Sequence, residues 1–394
     1  MGEWKRVKLG EICSRVCSGG TPRSNVAEYY DGGSIPWLNT KEVTFGRIYS
    51  TEKCITESGL ENSSAKWIEA NTVVVAMYGA TAGNVAITRI PLTTNQACCN
   101  LQINPQKADA DFVFYYLKWQ YHDLCLLANG AAQQNLNAQV IKDFQIVLPD
   151  LPTQRRIAAV LGALDDKIEV NRKICENLEA QAQALFKAWF VDAVSPMMPL
   201  SEICKSITDG VHNTVSDVPR TDWRLLSCKN LRNGEIDFEQ GYRTISNETF
   251  NTLRARTHLD RGDVLVGSVG TIGEIALVCE EPTNYEFQRS VAILKPDLDV
   301  ISSAYLYCAM RAAKERLMIL SHGAVQQCIF LNDFRGFTIQ VGSKELIDQF
   351  SNIVTPLLTK KHMLISESRA LAVMRDALLP KLMSGELAVE KVEG

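Results

Sequence analysis

Between residues 157 and 189 the chain repeats at alternating spacings of four and three: Ile157, Leu161, Leu164, Ile168, Asn171, Cys175, Leu178, Ala182, Leu185 and Trp189. This is the a/d pattern of a coiled-coil seam, and it predicts one long amphipathic helix. A weaker stripe sets Leu357, Leu364, Leu371 and Leu378 seven apart, with Lys361, Ser368 and Arg375 between them. Pro356 and Pro380 are expected to start or kink this second helix, leaving about 24 clean residues or ~36 Å. An apolar stripe must be buried, and each helix offers the other a matching period, so the pattern predicts an antiparallel pair. Asn171 within the seam reads as a register device.

The two helices belong to a larger repeat at an offset of 193 residues. Gly130-Ala-Ala-Gln-Gln134 returns as Gly323-Ala-Val-Gln-Gln327, and Leu164, Lys167, Leu178 and Leu185 return as Leu357, Lys360, Leu371 and Leu378. Earlier in each copy the match needs small insertions: Leu9-Gly-Glu-Ile-Cys13 answers Leu200-Ser-Glu-Ile-Cys204, Gly79–Gly83 answers Gly270–Gly273, and Gln96 answers Gln288. Before each helix lies a stretch of short β-like runs (72–77, 264–266, 290–294) punctuated by Gly, Pro, Asn and Asp, with one helix near its end (111–128, 303–321). The fold class expected is α+β: two globular domains separated by two long antiparallel helices, with an internal pseudo-twofold repeat. The boundaries read as 1–150, 151–195 (central helical spacer), 196–342 and 343–394 (C-terminal helical spacer).

Composition narrows the function. Forty-one Lys and Arg against 45 Asp and Glu, a net charge of −4, exclude a polybasic binder of nucleic acid or anionic membrane. By segment the basic and acidic residues number 13 and 14, 6 and 6, 15 and 18, and 7 and 7. The polar start of the chain lacks the apolar core of a secretory signal, and no stretch reads as a membrane span. Most of the twelve cysteines stand singly, as reduced thiols do, so a cytoplasmic location is expected.

Catalytic patterns are missing. Neither a phosphate loop nor a dinucleotide-binding glycine motif occurs, and Gly79–Gly83 and Gly270–Gly273 are spaced as turns between strands. Gly267-Ser-Val-Gly270 is one residue short of a nucleophile elbow. His122, His212, His258, His322 and His362 are far apart, no Cys-x-x-Cys occurs, and Cys98-Cys99 would point to opposite faces of a strand, so no metal site is expected. Asp165-Asp166 reads as a solvated helix face. Two similar but diverged heads on two similar helices suit a pair of readers on a common frame, and the differing heads would read different things.

The chain resembles, over essentially its whole length, the sequence-specificity subunits of type I restriction-modification systems. The resemblance is carried by Leu9-Gly-Glu-Ile-Cys13, Gly19-Gly-Thr-Pro22 and Ile35-Pro-Trp-Leu-Asn-Thr-Lys41. It is tightest from Ile146-Val-Leu-Pro-Asp-Leu-Pro-Thr-Gln-Arg-Arg-Ile-Ala through Leu164-Asp-Asp-Lys-Ile-Glu169 to Ala184-Leu-Phe-Lys-Ala-Trp-Phe190. In the second copy it rests on Gly262-Asp-Val-Leu-Val266 with Gly270-Thr-Ile-Gly273. Thr153 stands where the family commonly has Glu, and the second copy lacks the proline pair of the first helix entry.

The resemblance implies a non-catalytic DNA reader with two target-recognition domains, each taking one half of a bipartite, asymmetric double-stranded site. It implies as partners two modification (methyltransferase) subunits and restriction (translocase and endonuclease) subunits. It also implies no cofactor in this chain, with S-adenosylmethionine, ATP and magnesium on the partners. Candidates for phosphate contact are Lys5, Arg6 and Lys8 in the first copy and Arg254, Arg256, His258 and Arg261 in the second. Candidates for base contact are Asn39, Lys41, Gln133, Gln134 and Asn135, with Lys229, Asn230, Arg289, Gln326 and Gln327. The glutamine pairs also read as structural, because both copies keep them. A two-headed coiled-coil scaffold for a ligand other than nucleic acid shares the repeat and the neutral charge. Salt-dependent enrichment of a bipartite motif from a degenerate DNA pool separates the two readings.

Half-sites read on one face of B-DNA lie about 34 to 36 Å apart, comparable to the ~36 Å of clean helix. Inserting or deleting about one helical turn in the spacer is expected to change the gap between half-sites while leaving their sequences alone, as methylation mapping would show. Altered half-site sequences would overturn the frame.

Overall fold

The computed structural model describes residues 4–129, 136–212, 215–323 and 327–389. It divides into two compact units, Met1–Ile168 with Ala370–Gly394, and Glu169–Arg369. Each is an α+β body that includes a stretch of both long helices.

In the first unit, Lys5–Lys8 pairs antiparallel with Gln145–Leu148, the strand that leads into the first long helix. A five-stranded sheet runs Cys13–Ser18, Cys98–Ile103, Val73–Ala76, Val85–Thr88, Arg47–Ile48, and a four-stranded sheet runs Lys53–Ile55, Ile35–Leu38, Leu92–Thr94, Trp67–Ile68. Val73–Ala76 is buried at every position, which explains its unbroken apolar run where a half-exposed strand would alternate. The helix Ala110–Trp119 adds Phe112, Val113, Tyr115 and Leu117 to the core over this sheet.

The second unit repeats the plan. Met197–Pro199 pairs with Thr338–Gln340; a four-stranded sheet runs Cys204–Asp209, Val291–Pro296, Val264–Gly267, Ile275–Leu277; a three-stranded sheet runs Arg243–Thr244, Arg224–Leu226, Tyr285–Phe287. The central pairing of the smaller sheet is parallel in both copies, Ile35–Leu38 with Leu92–Thr94 and Arg224–Leu226 with Tyr285–Phe287. Asp109 and Ser302 cap the equivalent helices Ala110–Trp119 and Ser303–Ala312 by accepting a backbone N–H bond. The helices expected over 111–128 and 303–321 are each broken in two, resuming as Tyr121–Asn129 and Lys314–Ile319.

The first long helix is Leu151–Phe186, continued by a π-type turn, Lys187–Val191. The second is Lys344–Met383, so it begins twelve residues before Pro356 and passes through Pro380. The expectation that these prolines bound the helix is therefore corrected. Each proline deprives one carbonyl of its helical partner, those of Asn352 and Asp376, and both of these residues are exposed, where water replaces the lost N–H. Forty residues span ~60 Å, and the match of a ~36 Å segment to one turn of DNA lapses. Equivalent caps start both helices: Thr153 N–H donates to Asp150 Oδ1 at 2.8 Å and Leu346 N–H to Ser343 Oγ at 3.3 Å.

Every position of the first seam, Ile157, Leu161, Leu164, Ile168, Asn171, Cys175, Leu178, Ala182, Leu185 and Trp189, is buried or half-buried, as are Leu357, Leu364, Leu371 and Leu378. In the second unit Asn171 Nδ2 lies 2.8 Å from Glu367 and 3.3 Å from Ser368 Oγ, Lys361 meets Glu179 at 2.9 Å, and Phe186 packs on Phe350, so the segments run antiparallel. In the first unit Arg375 donates to Asp165 at 2.6 Å, and residues 150–157 line one cavity with residues 382–389, the same sense. The polar positions of the weak stripe thus meet Asn171 of the strong one and the acidic Asp165 and Glu179 that flank it. Asp165 leaves the solvated face expected for it, because Tyr115 Oη also donates to it at 2.5 Å; Asp166 stays exposed and pairs with Arg47.

Among the described residues no helix is long and apolar enough to cross a membrane. All twelve cysteines are free, and burial pushes the Cys13 thiol up to about 11 and Cys99 and Cys204 up to about 12.

Burial raises the Glu179 carboxyl, but Lys361 and Arg311 outweigh it and hold the group below the usual carboxylate range. Lys361→Met leaves that charge buried with one cation fewer, and is expected to cost about 3 kcal/mol in denaturant unfolding. The double variant Lys361→Met/Glu179→Gln should recover most of the loss.

Asp263 accepts from Asp260 N–H at 2.9 Å and from Lys295 at 2.9 Å, closing the turn before Val264–Gly267. Burial is the largest influence and pushes its carboxyl up to about 6, against the pull of Lys295. The folded state thus holds a proton that the unfolded state releases near 4, and this group's contribution to stability falls as pH rises from about 4 to about 6. Asp263→Asn should gain up to about 3 kcal/mol relative to the parent across that window, read from unfolding at several pH values.

Candidate nucleic-acid interface

One corner is built the same way in both units. Gly19 lets the chain pass so close to Thr94 that an added Cβ would lie 1.9 Å from its carbonyl oxygen; Gly210 does the same against Phe287 at 1.8 Å. Gly20 N–H then donates to Thr94 O at 2.9 Å and Val211 N–H to Phe287 O at 3.1 Å. Beyond these contacts three backbone bonds tie the loops together. Asn95 N–H donates to Leu38 O, Met77 N–H to Ala97 O and Leu136 N–H to Met77 O, at 3.0, 2.8 and 3.0 Å. The second copy has Gln288 to Leu226, Ser268 to Ser290 and Ile329 to Ser268, at 2.8, 2.9 and 2.9 Å.

This knot gathers loop residues far apart in sequence. The parallel strands end there, and each runs into a single helical turn, Thr40–Glu42 or Cys228–Asn230, which presents Lys41 or Lys229 to solvent. Asn39 caps the first turn, its Oδ1 accepting from Lys41 N–H at 3.3 Å while Glu42 accepts from Asn39 N–H at 3.0 Å. Asn230 is fully buried: its amide donates to Asp237 O and Gly241 O at 2.9 and 3.1 Å and accepts from Ser227 N–H at 3.0 Å. Asn230 therefore holds the loop and presents nothing to a ligand, contrary to its place among the base-contact candidates. Lys41 is paired with Glu52; among the described residues Lys229 has no ion-pair partner. Arg289 is exposed beside Lys229's turn, where Ser268 Oγ donates to Arg289 O at 3.2 Å and Cys228 N–H to Ser290 Oγ at 3.1 Å.

Gln327 is exposed, two residues before the Ile329 bond. Gln133, Gln134, Asn135 and Gln326 lie outside the described residues. Lys5, Arg6 and Lys8 are exposed on the strand Lys5–Lys8, and Lys8 pairs with Asp143 at 2.8 Å, which raises its affinity for a proton.

The patch expected at 254–261 separates. Arg254 turns inward to the fully buried Glu286 and donates to Tyr285 O at 3.0 Å, so it serves the interior and is corrected as a phosphate contact. Burial raises the Glu286 carboxyl, and Arg254 and Thr257 oppose that rise. Arg256 donates to Asp209 O at 2.8 Å and keeps its side chain 46% exposed, while His258 and Arg261 remain exposed.

Sequence reasoning missed a neighbouring group. Arg224 lies over the rings of Phe238 and Tyr242 at 5.4 and 5.1 Å, and Tyr242 is exposed in the loop that follows Lys229. The signal available was Gly241-Tyr-Arg243, an aromatic and a cation directly after a turn glycine. Cations, amides and an aromatic on capped loops can donate to phosphates and to base edges, and none of them is arranged around a bond to be broken.

Residues 1–180 match the type I restriction modification DNA specificity domain family. The MjaIX type I restriction enzyme specificity subunit of Methanocaldococcus jannaschii is 28% identical, with 99% of this chain and 95% of that protein covered. The HindI specificity subunit of Haemophilus influenzae is 22% identical, covering 98% and 100%. In fold, the crystal structure of a type I restriction-modification S subunit from M. genitalium is similar at a TM-score of 0.60 and 18% identity, covering 97% of this chain and 96% of that one. Residues 1–180 thus carry the family's domain, and nearly the whole chain is similar to DNA specificity subunits of type I restriction-modification systems.

Proposed function

We propose that each unit reads one half of a bipartite, asymmetric DNA site through the loop corner built on Met77 in one copy and Ser268 in the other. The observation that carries this reading is the corner itself: the same backbone bonds recur in both copies while the side chains they present differ, Asn39 and Lys41 in one, Lys229 and Arg289 in the other. A shared frame with unlike side chains is what two readers of unlike half-sites require. The chain contributes recognition, and the chemistry belongs to its partners, methyltransferase subunits with S-adenosylmethionine and restriction subunits with ATP and magnesium. Its near-neutral heads, with several surface cations already paired to carboxylates, leave few charges for phosphate, so the isolated chain binds DNA weakly until its partners add their surfaces.

The test is methylation mapping with the chain assembled with its modification subunits. Lys229→Ala and Arg289→Ala should relax the half-site read by the second unit and leave the other unchanged, each lost base contact being worth about 1 to 3 kcal/mol. Lys41→Ala should do the converse. An unchanged motif with all three variants, or loss of both halves at once, would overturn the assignment of one corner to each half.

A further inference from the structure

A hairpin of the second unit is seated on the second long helix. Leu231–Arg232 pairs with Glu235–Ile236 across Asn233-Gly234, both with positive φ of 52° and 84°, the two-residue turn that matches strand twist. Lys361 Nζ donates to Asn233 O at 3.0 Å and Arg369 to Ile236 O at 2.8 Å. Gly234 tolerates no side chain, since a Cβ would lie 2.1 Å from Tyr307 Oη. This seating sets Glu235 against His362, Oε2 to Nδ1 at 3.1 Å. Cys279, two residues beyond the strand Ile275–Leu277, completes a group whose ligand atoms all lie within 4.8 Å of one another. Glu280 Oε1 stands 2.9 Å from His362 Nε2, on a side chain 74% exposed.

We propose that Glu235, Cys279 and His362 form a zinc site, with water as the fourth ligand and Glu280 accepting from the ring N–H on the far side of His362, and that the ion fastens the second long helix to its recognition domain. A thiolate, an imidazole and a carboxylate are a zinc donor set, and bonds of about 2.0 to 2.3 Å put tetrahedral ligands about 3.5 Å apart, within reach of rotamer adjustment from the present spacing. The partial burial of Glu235 and His362 limits competition from water, and their backbones are held by the hairpin and the helix rather than by free loops. Without an ion, each ring nitrogen faces a carboxylate and His362 must carry a second proton to bond both; the metal takes the place of that proton and of the thiol proton, both of which are released on binding. No interaction described above for DNA recognition uses these residues.

The experiment uses the full chain and two probes, zinc and cobalt(II). After exposure to zinc and dialysis against metal-free buffer, the chain should retain about one zinc ion. Cobalt should give a thiolate charge-transfer band that disappears in Cys279→Ser and His362→Asn and persists in the control Cys54→Ser. Because those variants could unfold, Glu235→Gln, which keeps a hydrogen bond to His362, is measured as well. It should retain fold by circular dichroism yet weaken zinc binding roughly tenfold or more. A chelator should lower the Tm of the wild-type chain and leave that of Glu235→Gln unmoved. Wild-type chain with no retained zinc and no thiolate band overturns the site, leaving a protonated histidine clamp. A band that survives Cys279→Ser shows adventitious binding at another cysteine and overturns it equally. Both readouts are independent of DNA, so failure here leaves the reading of half-sites standing.

Discussion

Both units depend on one constraint: the apolar stripe of each long helix must be covered along its length, and polar residues in the seam must find partners there. Ile157, Leu161, Leu379 and Leu382 join the core of the first head, while Ala182, Phe186, Val354 and Leu358 join that of the second. Each helix is therefore part of a domain interior, and a head cannot move its helix without opening its own core. The polar pairs Asp165–Arg375, Asn171–Ser368 and Glu179–Lys361 add direction to this arrangement. Sliding the helices by one turn within either unit would strand charges in apolar surroundings, a penalty steep enough to select one register.

Much of this was legible because the sequence states it twice. The 193-residue offset places the caps Asp109 and Ser302, the entries Asp150 and Ser343, and the strands Gln145–Leu148 and Thr338–Gln340 in equivalent positions. The apolar seam followed from spacing alone. The second helix was misread at its start because proline is a strong signal when only sequence is seen. Its cost depends on whether the bereaved carbonyl reaches water, which is a property of the folded surface. Lys361, Ser368 and Arg375 looked like weaknesses for a similar reason: a stripe examined on its own does not show that the facing helix carries Glu179, Asn171 and Asp165.

The proposed recognition corner was only partly legible. Lys41, Lys229 and Arg289 are exposed as residue type and loop context suggest, but Asn230 and Arg254 are drawn inward by Asp237, Gly241 and Glu286, partners 7 to 32 residues away. The same limit hid the group around His362, whose contacts with Glu235 and Glu280 span 127 and 82 residues. Spacing motifs detect ligands contributed by one element. They are blind to a site assembled from a hairpin, a strand end and a helix.

The capped turn that carries Lys41 or Lys229 has a further consequence for how such a protein changes over time. Its backbone is held by neighbours, through Asn39 and Glu42 in one copy and through Ser227 and Asn230 in the other, so the shape of the turn does not rest on the displayed lysine side chain. Replacing either lysine leaves those capping bonds in place, so under the proposed reading one head can drift in sequence preference while its scaffold stays intact. Under the proposed reading, a lineage would thus acquire a new DNA target one side chain at a time, without passing through an unfolded intermediate.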